Sequence, residues 1–208
     1  PYYANTHSET SFTGAQTAVL REQAREVIRE AVNGTHLDKV IFTGSGATAA
    51  INKLIDMLNL RLPKNLSDEF GLDGVIPADH RPVVFIGPYE HHSNELPWRE
   101  SIADTVVISL DRTGQLDLVA LEDALVKYID RPLRIGSFSA ASNVTGLKTD
   151  VPRVTSMLKR HGALSFWDYA AAAPYVRIDM NSHSPLDAVF ISPHKFIGGP
   201  GTPGVLIV

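Results

Sequence analysis

Short apolar runs, separated by amphipathic stretches, set the tightest limit on what this 208-residue chain can become. The runs cover residues 40–43, 83–87, 105–110, 134–139, 163–168, 187–192 and 204–208. They have strand length and little polar alternation, the pattern of strands buried on both faces of a sheet. Between them the apolar period lengthens to about 3.6 residues, that of a helix. Residues 17–32 place Val19, Leu20, Ala24, Val27, Ile28 and Ala31 on one face, with Gly34 just beyond. Residues 47–60 do the same with Ile51, Leu54, Ile55 and Leu58. Asp117 suits the N-cap of a helix over 118–129. Asp150 and Pro152 open one over 151–161 that Gly162 stops. Residues 94–102, with Pro97 near their start, form a further helix. Strand–helix–strand repetition with short links requires right-handed crossovers and a mostly parallel sheet. The expected fold is one α/β domain over residues 1–208: a three-layer α/β/α arrangement around a mostly parallel seven-stranded sheet. The stretch 61–82 holds Pro63, Asp68, Gly71, Gly74, Pro77, Asp79 and Pro82, and is expected as an irregular surface excursion.

With 44% hydrophobic and 20% charged residues the composition is globular. A net charge of −4 argues against a nucleic-acid or anionic-membrane partner. Without cysteine, these residues supply no disulfide, thiolate ligand or thiol nucleophile. No apolar stretch approaches the ~18 residues of a membrane span. Pro1-Tyr2-Tyr3-Ala4-Asn5 lacks the basic and apolar regions of a signal peptide. It also lacks an initiator Met, as in a chain processed or cut from something longer. A cytoplasmic location is expected.

In an open parallel sheet, ligands bind beyond the carboxyl ends of the strands. Those ends here carry Gly44-Ser45-Gly46-Ala47-Thr48, Glu90-His91-His92, Ser142-Asn143, Asp168, and Ser192-Pro193-His194-Lys195. Such a set suits an anionic, aromatic, electrophilic cofactor. The turn at 44–48 leads from strand to helix, so free backbone N–H groups and the helix dipole suit a phosphate; otherwise it is an ordinary turn. It matches neither the dinucleotide fingerprint nor the P-loop. Lys195, at the mouth of a buried strand, could lose its charge by desolvation and act as a nucleophilic amine; otherwise it is a solvated loop lysine. Gly198-Gly199-Pro200-Gly201 just after it allows close backbone packing or makes a flexible loop. Asp168 could pair with a pyridinium N–H, or cap the next turn. His91 could stack on a ring or shuttle a proton. Asn143 could donate to a ring hydroxyl, or fix a turn with Gly146. Adjacent histidines point in different directions and no third ligand at metal spacing follows, so no metal site is expected.

These motifs, in this order and spacing, resemble the class V aminotransferase family of fold-type I pyridoxal-phosphate enzymes, and within it the cysteine desulfurase and selenocysteine lyase branch. Gly46-Ala47-Thr48 with Ile51-Asn52 looks like the phosphate-binding turn. Glu90-His91-His92-Ser93-Asn94 with Pro97-Trp98 looks like the segment whose histidine stacks on the cofactor. Ser142-Asn143-Val144-Thr145-Gly146 is similar to the segment whose Asn contacts it. Asp168 matches the partner of the pyridine nitrogen. Ser192-x-His194-Lys195 matches the signature in which lysine forms the Schiff base while serine and histidine hold the phosphate.

The resemblance implies pyridoxal 5'-phosphate as cofactor, an amino acid as substrate, a homodimer, and an antiparallel last strand. It implies Lys195, His91 and Asp168 as catalytic residues, with Gly46, Ala47, Thr48, Asn143, Ser192 and His194 also binding the cofactor. There are departures. Asp168-Tyr169-Ala170-Ala171 stands where the family has Asp-Gly-Ala-Gln, so Ala171 cannot make the glutamine's contact to the phenolic oxygen. Tyr3-Ala4-Asn5 replaces an Asp-Asn-Ala stretch. Family members run to about twice this length, because a smaller C-terminal domain follows the large one. That domain carries the substrate arginine and, in desulfurases, the nucleophilic cysteine. The chain is therefore expected to be the large domain alone, with residues 5–12 either a dimer-contacting arm or a disordered end. Three readings remain beside the desulfurase or lyase: an aminotransferase on the same machinery, a non-catalytic cofactor-binding fragment, and a nucleotide-binding module. Against the last, no acidic ribose-binding residue follows about 20 residues on.

Overall fold

β-Branched and aromatic residues fill the short apolar runs, and each run forms a strand. The computed structural model describes residues 5–6 and 10–208. Its strands are β1 (Val40–Thr43), β2 (Val83–Ile86), β3 (Asp104–Val107), β4 (Arg134–Ser139), β5 (Leu164–Asp168), β6 (Ala188–Ile191) and β7 (Gly204–Ile207). They build one sheet in the order β1-β7-β6-β5-β4-β2-β3. Neighbours from β6 through β3 are parallel, while β7 runs antiparallel to both β1 and β6.

The helices are α1 (Phe12–Ala31), α2 (Gly46–Met57), α3 (Lys64–Phe70), α4 (Leu72–Val75), α5 (His92–Arg99), α6 (Leu118–Lys127) and α7 (Val151–Arg160). Successive strand residues enter opposite cores, which explains the missing polar alternation. Val83, Phe85, Trp167 and Val189 pack with Leu121 and Leu125 of α6 and Val154 and Leu158 of α7. Val84, Ile86, Phe166 and Phe190 pack with Ile51, Leu54 and Ile55 of α2 and Trp98 of α5. Helices therefore cover both faces, which makes the expected three layers.

Besides shifts of one to three residues at element ends, three departures from the sequence expectation stand out. The first helix begins at Phe12 rather than residue 17, because the Ser11 side chain accepts the Gly14 N–H at 3.1 Å and caps an earlier turn. The helix expected over 94–102 spans His92–Arg99, because His91 is its N-cap. The stretch 61–82 is not irregular. It holds α3, α4 and a 3-10 turn at Ala78–His80, with left-handed Gly71 (φ 61°) between the two helices. Of the expected arm over 5–12, residues 7–9 lie outside the described residues, as does most of the Tyr3-Ala4-Asn5 start. Among the described residues no helix is long and apolar enough to cross a membrane.

Candidate functional site

The parallel strands bring their carboxyl ends to one edge of the sheet, and the polar residues beyond them meet there. On one side β7 lies between β1 and β6, so the turn after β1 and the turn after β6 face each other. The Ser192 hydroxyl, buried beyond β6, accepts the Ala47 backbone N–H at 2.8 Å. Gly46 adopts φ +62°, and a Cβ on it would lie 2.7 Å from His194 Cε1 and 3.1 Å from Ser192 Oγ. Gly204, at the start of β7, presses on the same residue: its Cβ would lie 2.1 Å from the Gly46 carbonyl oxygen. Glycine is required at both positions by close approach, and at Gly46 by conformation as well. Ser45 gives α2 no side-chain cap. Ala47 N–H is taken by Ser192, and the other first-turn N–H groups lie with the helix dipole at an edge where exposed Thr48 also sits. Such an arrangement could hold a compact anion. A shallow cavity of about 420 Å³ beside it is lined by Gly44, Ser45, His194, Gly201, Thr202 and Pro203.

Asp168 ends β5 in the middle of the edge. It is buried, and its Oδ1 accepts the Ala170 N–H at 2.7 Å. Among the described residues Oδ2 takes no hydrogen bond, which leaves it for an outside donor. Burial raises the carboxyl's pKa; the Ala170 bond and the positive charges of Lys195 and His91 pull it back. Lys195 closes a 3-10 turn, Pro193–Lys195, and is exposed. The chain itself therefore leaves this lysine solvated, the second of its two readings from the sequence.

His91 is exposed, and its Nδ1 accepts the Ser93 backbone N–H at 3.1 Å. A backbone N–H can only donate, so in the neutral ring the proton sits on Nε2; the Ser93 hydroxyl also lies 2.8 Å from Nδ1. The His91 and His92 rings lie 6.2 Å apart at 47° and do not converge. Asn143 is exposed, and its side chain makes no hydrogen bond among the described residues. Its turn is fixed by Ser142, whose hydroxyl accepts the Val144 and Thr145 N–H groups at 3.2 Å each. Ala171 presents only a methyl group.

The residue that the sequence reading passed over is Glu90. It is half-buried, and its carboxyl accepts hydrogen bonds from Gly87 N–H (3.2 Å), Ser139 N–H (2.9 Å), Ser139 Oγ (2.6 Å) and Asn94 Nδ2 (2.7 Å). Burial pushes its pKa up to about 7; the Ser139 and Asn94 bonds oppose that, and the Asp168 charge adds to it. The available sequence signal was a carboxylate just past a strand buried on both faces, four residues before an asparagine. A larger cavity of about 650 Å³ lies away from this edge, lined in part by Arg61, Lys64, Ser67 and Arg99. Its cations are already paired with Asp56, Asp68 and Glu95.

An open, mostly parallel α/β sheet with a glycine-lined turn, a buried carboxylate and a lysine along one edge has the architecture of an aminotransferase-like domain. The sequence model of the family "Aminotransferase class-V" matches residues 1–208. The chain belongs to that family. It is 28% identical over 209 aligned residues to a protein of Streptomyces coelicolor named "Probable cysteine desulfurase", covering 99% of this chain and 46% of that one. A protein of the same name from Halalkalibacterium halodurans is 29% identical, over 99% and 46% of the two chains. The solved NifS-like protein from Rickettsia africae superposes with a TM-score of 0.77 at 24% identity, covering 98% of this chain and 50% of that one. The chain thus spans about half the length of the relatives it matches.

Proposed function

We propose that this chain is the large, cofactor-binding domain of a pyridoxal-phosphate-dependent enzyme of the cysteine desulfurase type, acting on an amino acid. The observation that carries the reading is the cradle in which Gly46, Ala47, Ser192 and His194 converge beside Lys195. A Cβ at Gly46 would fill it, and no such close approach is needed in an ordinary strand–helix turn. The names of the curated relatives support the desulfurase over the aminotransferase reading, which would use the same residues.

When bound, the cofactor supplies an electron sink for the pair left at the substrate Cα. The chain's own residues do the rest. The α2 N-terminus, Thr48, Ser192 and His194 would hold the phosphate. Lys195 would hold the cofactor covalently through Nζ and, as a free amine, would move a proton at the substrate Cα. Asp168 Oδ2 would accept the ring N–H and keep that nitrogen protonated, and the pairing would give the buried carboxylate an opposite charge. His91 would flank the ring, and Asn143 would supply a donor to its phenolic oxygen. The substrate arginine and the sulfur-carrying cysteine belong to a second domain outside these residues. The enzyme is cytoplasmic and works as a homodimer.

The test is to add pyridoxal phosphate to the purified chain and follow its visible absorbance. A band near ~420 nm, fixed by borohydride as a mass on Lys195, is the expected result for an amine-bound cofactor. No band, in this chain and in one extended through a second domain, overturns the reading. Sulfide release from cysteine by the extended chain separates desulfurase from aminotransferase.

A further inference from the structure

The site's two ring-facing residues stand on different elements: His91 on the turn into α5 and Asp168 at the end of β5. Glu90 lies between these elements and bonds to both sides. Toward α5, its Oε2 accepts from Asn94 Nδ2 at 2.7 Å, and the Asn94 backbone N–H donates to the His91 carbonyl at 2.8 Å. Toward the sheet, it accepts from the N–H and the hydroxyl of Ser139, the register partner of Asp168 across β4 and β5.

The polarity of this network is fixed. The Trp98 indole N–H can only donate. It reaches Ser137 Oγ at 3.1 Å and Asn94 Oδ1 at 3.3 Å. The Ser137 hydroxyl in turn donates to Asn94 Oδ1 at 2.7 Å. The amide oxygen of Asn94 therefore faces Trp98 and Ser137, and its N–H groups face Glu90 and the Ser137 carbonyl. When ionised, Glu90 is the acceptor on which the chain of donors ends. Trp98, Asn94 and Ser137 are fully buried, so water cannot replace a lost partner without repacking.

We propose that Glu90 is the positioning residue of this site: by holding the start of α5 against the end of β4, its carboxylate sets the separation of His91 from Asp168. The proposal rests on the reading of these two residues as flanks of the cofactor ring. It assigns Glu90 no contact with cofactor or substrate.

The test uses the chain with ¹⁵N-labelled histidine and no cofactor, read by imidazole correlation spectra. In the wild type, His91 gives a single Nε2–H signal set. In Glu90→Gln, an amide N–H₂ opposes the Asn94 amide, and in Asn94→Asp two carboxylates oppose each other; each change shifts or splits the His91 signals. The double variant E90Q/N94D restores a donor facing an acceptor and returns the signals toward the wild type. If E90Q does not fold, Ser139→Ala, which removes one donor and keeps the backbone N–H, is read the same way. Unshifted His91 signals in the folded single variants overturn the proposal. So does a double variant no closer to the wild type than N94D, which shares the loss of the Asn94 donor to the Ser137 carbonyl. As a second readout, the circular dichroism induced in added pyridoxal phosphate falls about threefold in E90Q, as for the loss of one network hydrogen bond, and recovers in the double variant. A wild type without any induced signal counts against the cofactor reading alone, since the cofactor-free spectra still decide the role of Glu90.

Discussion

Ser192 Oγ accepts the backbone N–H of Ala47 at 2.8 Å, across 145 positions of sequence. The bond ties the end of β6 to the first turn of α2, a helix that also packs directly on β6. Ser192 thus has a structural and a binding role at once, and the two can be separated by experiment.

Ser192→Ala leaves the buried Ala47 N–H without its acceptor. The expected cost is about 1–3 kcal/mol of unfolding free energy, the penalty for an unsatisfied buried donor. Urea denaturation measures it; an unchanged midpoint would show that the N–H finds another partner.

Gly46→Ala places a methyl group 2.7 Å from His194 Cε1 at a residue with φ +62°. Left-handed backbone alone costs a non-glycine residue roughly 1–2 kcal/mol. Cofactor affinity is expected to fall at least about tenfold, because both the cradle and its imidazole must move. A fluorescence titration with pyridoxal phosphate checks this; wild-type affinity would remove Gly46 from the cradle.

Lys195→Ala should leave the fold intact, since Lys195 is exposed and closes its turn through backbone atoms. Thermal unfolding should change by no more than about 0.5 kcal/mol, as for surface sites in general. The visible band of the added cofactor should vanish. Loss of both together would mark Lys195 as structural.

Glu90 makes stability depend on pH in a definite direction. Its carboxyl rises from an ordinary 4.5 to about 7 on folding. The native state therefore holds a proton that the unfolded state has released. The contribution is fully present below pH 4.5 and is lost as pH rises to about 7. The whole span corresponds to roughly 3 kcal/mol. Denaturant unfolding of the wild type between pH 5 and 8 should show this slope, and E90Q should flatten it. Parallel slopes would mean that Glu90 is ionised throughout.

The strands were legible because burial on both faces strips a run such as Val83–Ile86 of polar alternation. The site was legible where parallel topology brings strand ends together, since Gly46, Asp168, Ser192 and Lys195 each follow a strand. The start of α1 was not, because Phe12 is 84% exposed and gives no packing signal, while the cap at Ser11 is a single short side chain. α3 was hidden between Pro63 and Gly71, in seven residues too few to show a period. The environment of Glu90 could be read only in part: Asn94 lies four positions on, but Ser139, which bonds it twice, is 49 positions away and nothing local marks that pairing. The exposure of Lys195 depended on the direction of one 3-10 turn, which composition does not encode.

The antiparallel β7 also has a consequence for synthesis. β1 and β6 never touch; the sheet is continuous between them only through Gly204–Ile207. A nascent chain can pair β2 through β6 as they emerge, and α2 can already pack on β2 and α5, but β1 must wait for β7 before it has an edge to join. The turn from β1 into α2 is therefore fixed only once β7 has paired. The anion cradle comes into being at the last step of assembly, so its ligand would act on the completed sheet as a late clasp rather than as a nucleus.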